Sequence, residues 1–121
     1  MKTYLGIDYG KSKIGLSKAN DEIKVATPLC IIKNDSKFKK VLSEIIKTES
    51  IDEIIVGYPL SLSGEVGLQA IEVDKFIKEI EFFKKPIYRQ DERFSSRSAV
   101  SKGEDDSSAA TLILQTFLEK L

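Results

Sequence analysis

Residues 3–17 read TYLGIDYGKSKIGLS, and the fold follows from how that stretch alternates. Leu5 and Ile7 fall on one side of an extended segment, with Gly6 and Asp8 on the other, so Thr3–Tyr9 is predicted as a buried strand. Gly10 turns the chain. From Lys13 to Lys18 the pattern alternates again, with Ile14 and Leu16 inward, and from Glu22 to Thr27 it alternates with Ile23 and Val25 inward. The Asn20-Asp21 pair between them tolerates positive φ, which predicts a β-hairpin and, with the first strand, an antiparallel meander.

After the meander the periodicity changes. Phe38, Val41, Leu42, Ile45 and Ile46 recur at helical spacing behind Asn34, Asp35 and Ser36, each a capable helix cap. Glu53–Gly57 (EIIVG) is a short apolar run of the kind buried on both faces. Val73, Phe76, Ile77 and Ile80 form a second helical stripe, ended by Pro86, and Ile87–Asp91 reads as the last strand. Ala110, Ile113, Leu114, Phe117, Leu118 and Leu121 make a third stripe. The order βββαβαβα predicts an α/β fold: a mixed five-stranded sheet, antiparallel over strands 1–3 and parallel after, with helices on both faces. No repeat, low-complexity tract or linker interrupts it, so residues 1–121 are expected to form a single domain.

Composition then restricts the chemistry. The chain has no histidine, which removes Ser-His-Asp and Cys-His catalysis and any His-ligated zinc. Hydrolysis by this protein must run on carboxylates and on a hard cation that carboxylates hold. Its one cysteine, Cys30, allows no intrachain disulfide. With no signal-peptide run at the start and no membrane-length apolar stretch, a cytoplasmic protein is expected, with no membrane partner. Lys+Arg and Asp+Glu both number 19, so a whole-chain basic grip on nucleic acid is excluded while local patches stay open.

Acidic residues at the ends of predicted elements carry the functional signal. Asp8 sits late in the first strand, Asp91 and Glu92 close the last, and Asp106 opens the final helix on its sheet-facing side. If the first and last strands lie side by side, these ends converge. Two carboxylates about 5 Å apart repel by roughly 3 kcal/mol at an effective dielectric near 20, so such a cluster calls for a counter-charge. Mg²⁺ or Mn²⁺ fits, being hard and oxygen-seeking, and one or two such ions can drive phosphodiester hydrolysis. Each acid also has an ordinary role. Asp106 is a normal helix cap, and Asp91-Glu92-Arg93 is a normal charged strand end. Asp8, between Ile7 and Tyr9, is different, because a carboxylate in a central strand needs a partner or a metal. The loop at residues 57–67 (GYPLSLSGEVG) can meet a phosphate through its backbone N–H groups and serines, or serve as a plain connection.

Four stretches, in order, resemble the YqgF/RuvX family of the RNase H-like superfamily. LGIDYGKSKIGLS (5–17) is similar to its first strand and hairpin, and VGYPLSLSGEVGLQA (56–70) to its glycine- and proline-containing loop. DERFSS (91–96) is similar to its Asp-Glu-Arg block, and DSSAATLILQTFL (106–118) to its final helix. The resemblance implies an RNase H-like nuclease with Asp8, Glu92 and Asp106 as catalytic carboxylates and metal ligands, and Asp91 as a helper. It implies a nucleic-acid substrate: the 5′ end of the 16S ribosomal RNA precursor, or Holliday junctions in DNA recombination and repair. Lys11, Lys13, Ser61, Arg93 and Arg97 are the candidate nucleic-acid contacts. Lys13 stands where the family usually has arginine, and its ammonium is a point charge without the bidentate fork. Ser61 replaces asparagine, Phe94 leucine, and Ser95-Ser96 a threonine pair.

Other functions stay open at this point. Junction resolution requires two sites and hence a dimer; with no exposed apolar stripe in view, a monomer is expected rather than a homodimer. Asp8-Tyr9-Gly10 followed by Gly15 resembles the phosphate loop of actin-like ATPases, which need two lobes. A non-catalytic nucleic-acid-binding module would keep the fold without the chemistry.

Overall fold

The alternations and stripes resolve into β1 (Thr3–Tyr9), β2 (Lys13–Asn20), β3 (Thr27–Lys33), α1 (Phe38–Thr48), β4 (Glu53–Tyr58), α2 (Leu68–Ile80), β5 (Ile87–Asp91) and α3 (Asp106–Leu118), with a 3₁₀ turn at Glu81–Phe83. The computed structural model describes residues 1–59, 67–91 and 106–121, with side chains in the last segment from Ala109 onward. The strands form one mixed sheet in the order β3-β2-β1-β4-β5. β1 runs antiparallel to β2 and parallel to β4, β2 antiparallel to β3, and β4 parallel to β5. Among the described residues no helix is long and apolar enough to cross a membrane.

Period-two alternation divides the core between the two sheet faces. Leu5 and Ile7 of β1, Ile14 and Leu16 of β2, and Ile54 and Val56 of β4 pack against Phe38, Leu42 and Ile46 of α1 and Val73, Phe76, Ile77 and Ile80 of α2. On the opposite face Tyr4, Ala19 and Ile55 pack against Ile113, Leu114 and Leu118 of α3. β4 is covered on both sides, so its residues from Glu53 to Gly57 are all buried, as EIIVG predicts. Lys37 directly precedes α1 without a side-chain cap; Asp35 acts earlier, its carboxylate accepting the Lys37 N–H at 2.9 Å.

Two expectations change. The second hairpin strand is Thr27–Lys33 and not Glu22–Thr27; Ile23 and Val25 are exposed. The reason is local: the Asn20 side chain accepts the N–H groups of Glu22 and Ile23, at 3.0 and 2.8 Å, and Lys24 takes a positive φ of 60°. These lengthen the turn and delay the strand. β3 lies at the sheet edge, where Pro28 sits opposite Ser17 beside a register shift, and an edge is where a sheet tolerates proline.

The first and last strands are also not neighbours, because β4 separates β1 from β5. The crossover through α1 sets β4 against β1, and the crossover through α2 adds β5 outside it. Composition agrees with that order, since the nearly all-apolar strand is central and IYRQD, with Tyr88 and Arg89 exposed, forms an edge.

Candidate active site

β1, β4 and β5 are mutually parallel, so their C-terminal ends share one end of the sheet, where open α/β sheets bind ligands. Asp8 lies there, half-buried, on the α3 side with Tyr4 and Gly6. Its register partner on β2 is Gly15, and the residue of β4 after Val56, the partner of Ile7, is Gly57. The carboxylate is thus flanked on both neighbouring strands by positions without side chains.

The direction of α3 determines what comes to that end of the sheet. Phe117, near the helix C-terminus, meets the Tyr4 ring edge-on at 5.9 Å. Ala110 and Leu114, further back, lie over Gly6. Moving along β1 from Tyr4 through Gly6 toward Asp8 therefore means moving toward the start of α3. From Gly6 to Asp8 the strand advances about 6.8 Å; from Ala110 back to Asp106 the helix covers about 6 Å. The first residue of α3 accordingly stands at Asp8's end of the sheet, and the positive end of the helix dipole with it favours anions there. This close approach depends on Gly6 and on Ser17, whose buried hydroxyl donates to the Ala110 carbonyl at 2.8 Å.

A second cluster ties the same sheet end to α2, on the opposite face. The Tyr58 hydroxyl donates to Asp74 Oδ2 at 2.8 Å, and Arg89 donates to Asp74 Oδ1 through Nε and Nη2 at 3.2 and 3.0 Å. The Arg89 guanidinium lies 5.5 Å from the centre of the Tyr58 ring. Asp74 thereby holds the ends of both strands that lead onward, β4 toward residue 60 and β5 toward Glu92. Residues 58, 74 and 89 are too far apart in sequence, and too ordinary in type, to be flagged before folding.

The hydrogen bond to Asp74, aided by burial, raises the Tyr58 phenol above its ordinary value. Burial likewise raises Tyr4. A raised folded value means that the stabilisation from the Tyr58 bond is complete below the ordinary phenol range, near pH 10, and is lost as pH climbs through the folded value. In an ultraviolet tyrosinate titration, Asp74→Asn is expected to bring the Tyr58 step down and leave the Tyr4 step in place. An unchanged titration would show that Asp74 does not control Tyr58.

The expected site residues are distributed as follows. Asp8 and Lys13 share the α3 side, since Lys13 is two residues from Gly15 along β2. Asp91 pairs with Tyr58, which puts it on the α2 side, away from Asp8. Lys11 also leans toward α2, 3.9 Å from Glu72 and beside a pocket of about 350 Å³ lined by Tyr9 and Phe76. Asp106 begins α3. Glu92, Ser61, Arg93 and Arg97 lie outside the described residues, as does the Asp106 side chain. Among the described residues no three His, Cys, Asp or Glu side chains gather into a metal cage. Asp8 itself suits a hard cation: it is an oxygen donor set between two glycine positions.

Comparison with known proteins agrees with this architecture. A family model described as RuvX, Holliday junction resolvase, matches residues 2–120. A relative from Ruminiclostridium cellulolyticum, named "Putative pre-16S rRNA nuclease", is 35% identical over 133 residues, covering 97% of this chain and 94% of its own. Relatives of the same name from a Sulfurihydrogenibium species and Rickettsia rickettsii are 34% and 33% identical, covering 100% and 97% of this chain and 92% and 86% of their own. Among solved structures, Thermus thermophilus RuvC in complex with a Holliday junction substrate superposes with a TM-score of 0.62 at 12% identity, covering 99% of this chain and 95% of that one. At that identity the likeness is one of fold. The chain belongs to the RuvX (YqgF) family, with a RuvC-like RNase H fold.

Proposed function

We propose that this protein is a divalent-metal-dependent nuclease that processes the 5′ end of the 16S ribosomal RNA precursor. The observation that carries this reading is the antiparallel run of α3 over β1, which brings the start of α3 to the sheet end that Asp8 occupies. Asp8, Asp106 and Glu92, which follows β5 directly, would hold one or two Mg²⁺ or Mn²⁺ ions. When bound, these supply activation of water and stabilisation of the leaving oxygen, the tasks that histidine performs in other hydrolases. Of the chain's own groups, Asp8 orients its carboxylate from a rigid strand between two glycines, and the start of α3 favours the anionic phosphate. Lys13, on the same side, neutralises a neighbouring phosphate, with Lys11, Ser61, Arg93 and Arg97 as further contacts. The relatives' shared name supports ribosomal RNA as the substrate.

The description of the family model favours a second reading, junction resolution in DNA. One experiment separates the two. The purified protein is incubated with an RNA spanning the precursor and mature 5′ sequence, and separately with a four-way DNA junction, in Mg²⁺, Mn²⁺ or EDTA. Cleavage of the RNA in either metal, none in EDTA, and an intact junction are expected. Symmetrical junction cutting with the RNA spared would replace the first reading by the second. No cleavage of either substrate would leave a binding module.

A further inference from the structure

The formal neutrality of the chain conceals an uneven distribution. Residues 1–50 hold ten basic against six acidic side chains, and residues 51–121 hold nine against thirteen. Of the first group, Lys13, Lys18, Lys24 and Lys33 lie on β2, on β3 or in the turn between them. At the end of these strands nearest Asp8, Lys13 and Lys33 are directly opposed across the β2–β3 ladder. Like charges in this position destabilise a strand pair. Both side chains are exposed, and Lys33 has no ion pair among the described residues. Ile14 and its partner Ile32 turn toward the α1–α2 core, so alternation puts Lys13 and Lys33 on the other face, with Gly15 and Asp8.

We infer that the Lys13–Lys33 pair is a phosphate clamp that carries the nucleic-acid strand from the site outward across β2 to the β3 edge. The inference deepens the nuclease reading, on which it rests for the location of the cut. Lys13 lies one strand from Asp8 and two residues along, about 8 Å between backbones, and Lys33 two strands away, about 12 Å. At those distances the clamp meets phosphates within a few nucleotides of the one at Asp8. Between them lie Gly15, which has no side chain, and, opposite it on β3, the exposed Ile31. The strand thus approaches Asp8 over the lysines of β2 and β3.

The test uses the full chain in the Asp8→Asn background, in Mg²⁺, with a fluorescein-labelled single-stranded RNA of about 20 nucleotides, and reads anisotropy between about 50 and 200 mM KCl. Lys33→Gln is expected to weaken binding about five-fold near 0.1 M salt and to lower the log–log salt slope by about 0.7–0.9; adding Lys13→Gln is expected to double the change in slope. Lys33→Arg is expected to retain the slope. A Lys47→Gln, Lys85→Gln control, at the opposite end of the sheet, is expected to bind as the background does. An unchanged slope in Lys33→Gln overturns the clamp, and so does an equal loss in the control, which would mean diffuse attraction. A Lys33→Gln protein that only self-associates in light scattering, with its slope intact, would instead make Lys33 an edge-strand guard. Binding is read without cleavage, so failure of the nuclease reading shows in the cleavage assay, and an unchanged slope beside normal wild-type cleavage sinks the clamp alone.

Discussion

Asp8→Asn is expected to lower metal-dependent cleavage by about 10²–10⁴-fold while leaving the protein folded. Asparagine keeps the shape and one oxygen of the side chain but loses the charge that holds a divalent ion. A loss of about 3–5 kcal/mol of transition-state stabilisation corresponds to that range. Stability separates this effect from simple damage. Wild-type protein is expected to melt higher when Mn²⁺ is added, since an ion at a hundred times its Kd stabilises the folded state by about 2.7 kcal/mol. Asp8→Asn is expected to gain much less from the metal and to melt in EDTA no lower than the wild type, because in the proposed site it removes one source of repulsion among the acids. Wild-type cleavage rates in the variant would remove Asp8 from the chemistry.

Gly6→Ala is the second large effect, and it acts through packing. A Cβ on Gly6 would overlap Ser17 Oγ, lie 2.8 Å from Leu114 Cβ and come within 3.1 Å of the Ala110 carbonyl oxygen. Two of these atoms belong to the body of α3 and cannot swing aside as the tip of a long side chain can. The helix must lift, which disturbs the buried Ser17–Ala110 hydrogen bond and the apolar contacts of Ile113 and Leu114. Overpacking of this kind costs about 1–3 kcal/mol, and the lost contacts put Gly6→Ala near the top of that range. Urea denaturation measures the loss through the midpoint at constant slope. Because the start of α3 moves with the helix, cleavage is expected to fall even under conditions where the variant remains folded. A variant as stable and active as the wild type would show that α3 does not need the close approach at Gly6.

Much of this molecule was legible before folding, where the signal was local and the pattern strong. Thr3–Tyr9 and Ile87–Asp91 are strands with the bounds their alternation predicts, and EIIVG is buried throughout. The stripes of α1 and α2 occupy the helices they predict, and that of α3 does so as far as Leu118, with Leu121 beyond the helix and exposed; Asp106 begins the last helix. The reading failed at β3, where a side-chain turn at Asn20 and a proline beside an irregular register outweighed the alternation of Ile23 and Val25. At the site, Asp8 announced itself because a carboxylate between Ile7 and Tyr9 contradicts a buried strand. Asp74 and Lys33 gave no such sign, since an acid on a helix and a lysine at a strand end are ordinary until their neighbours are known.

The amino-acid sequence by itself determined which segments are strands and helices and which carboxylates are chemically conspicuous, because both depend on side-chain spacing within a few residues. Only the tertiary structure decided that β4 separates β1 from β5, that Asp91 turns to the opposite face from Asp8, and that α3 runs back over β1 toward Asp8. Those outcomes depend on how whole surfaces fit. The bare backbone at Gly6 admits Ala110 and Leu114 in one orientation of the helix, and no window of local sequence contains both sides of that contact.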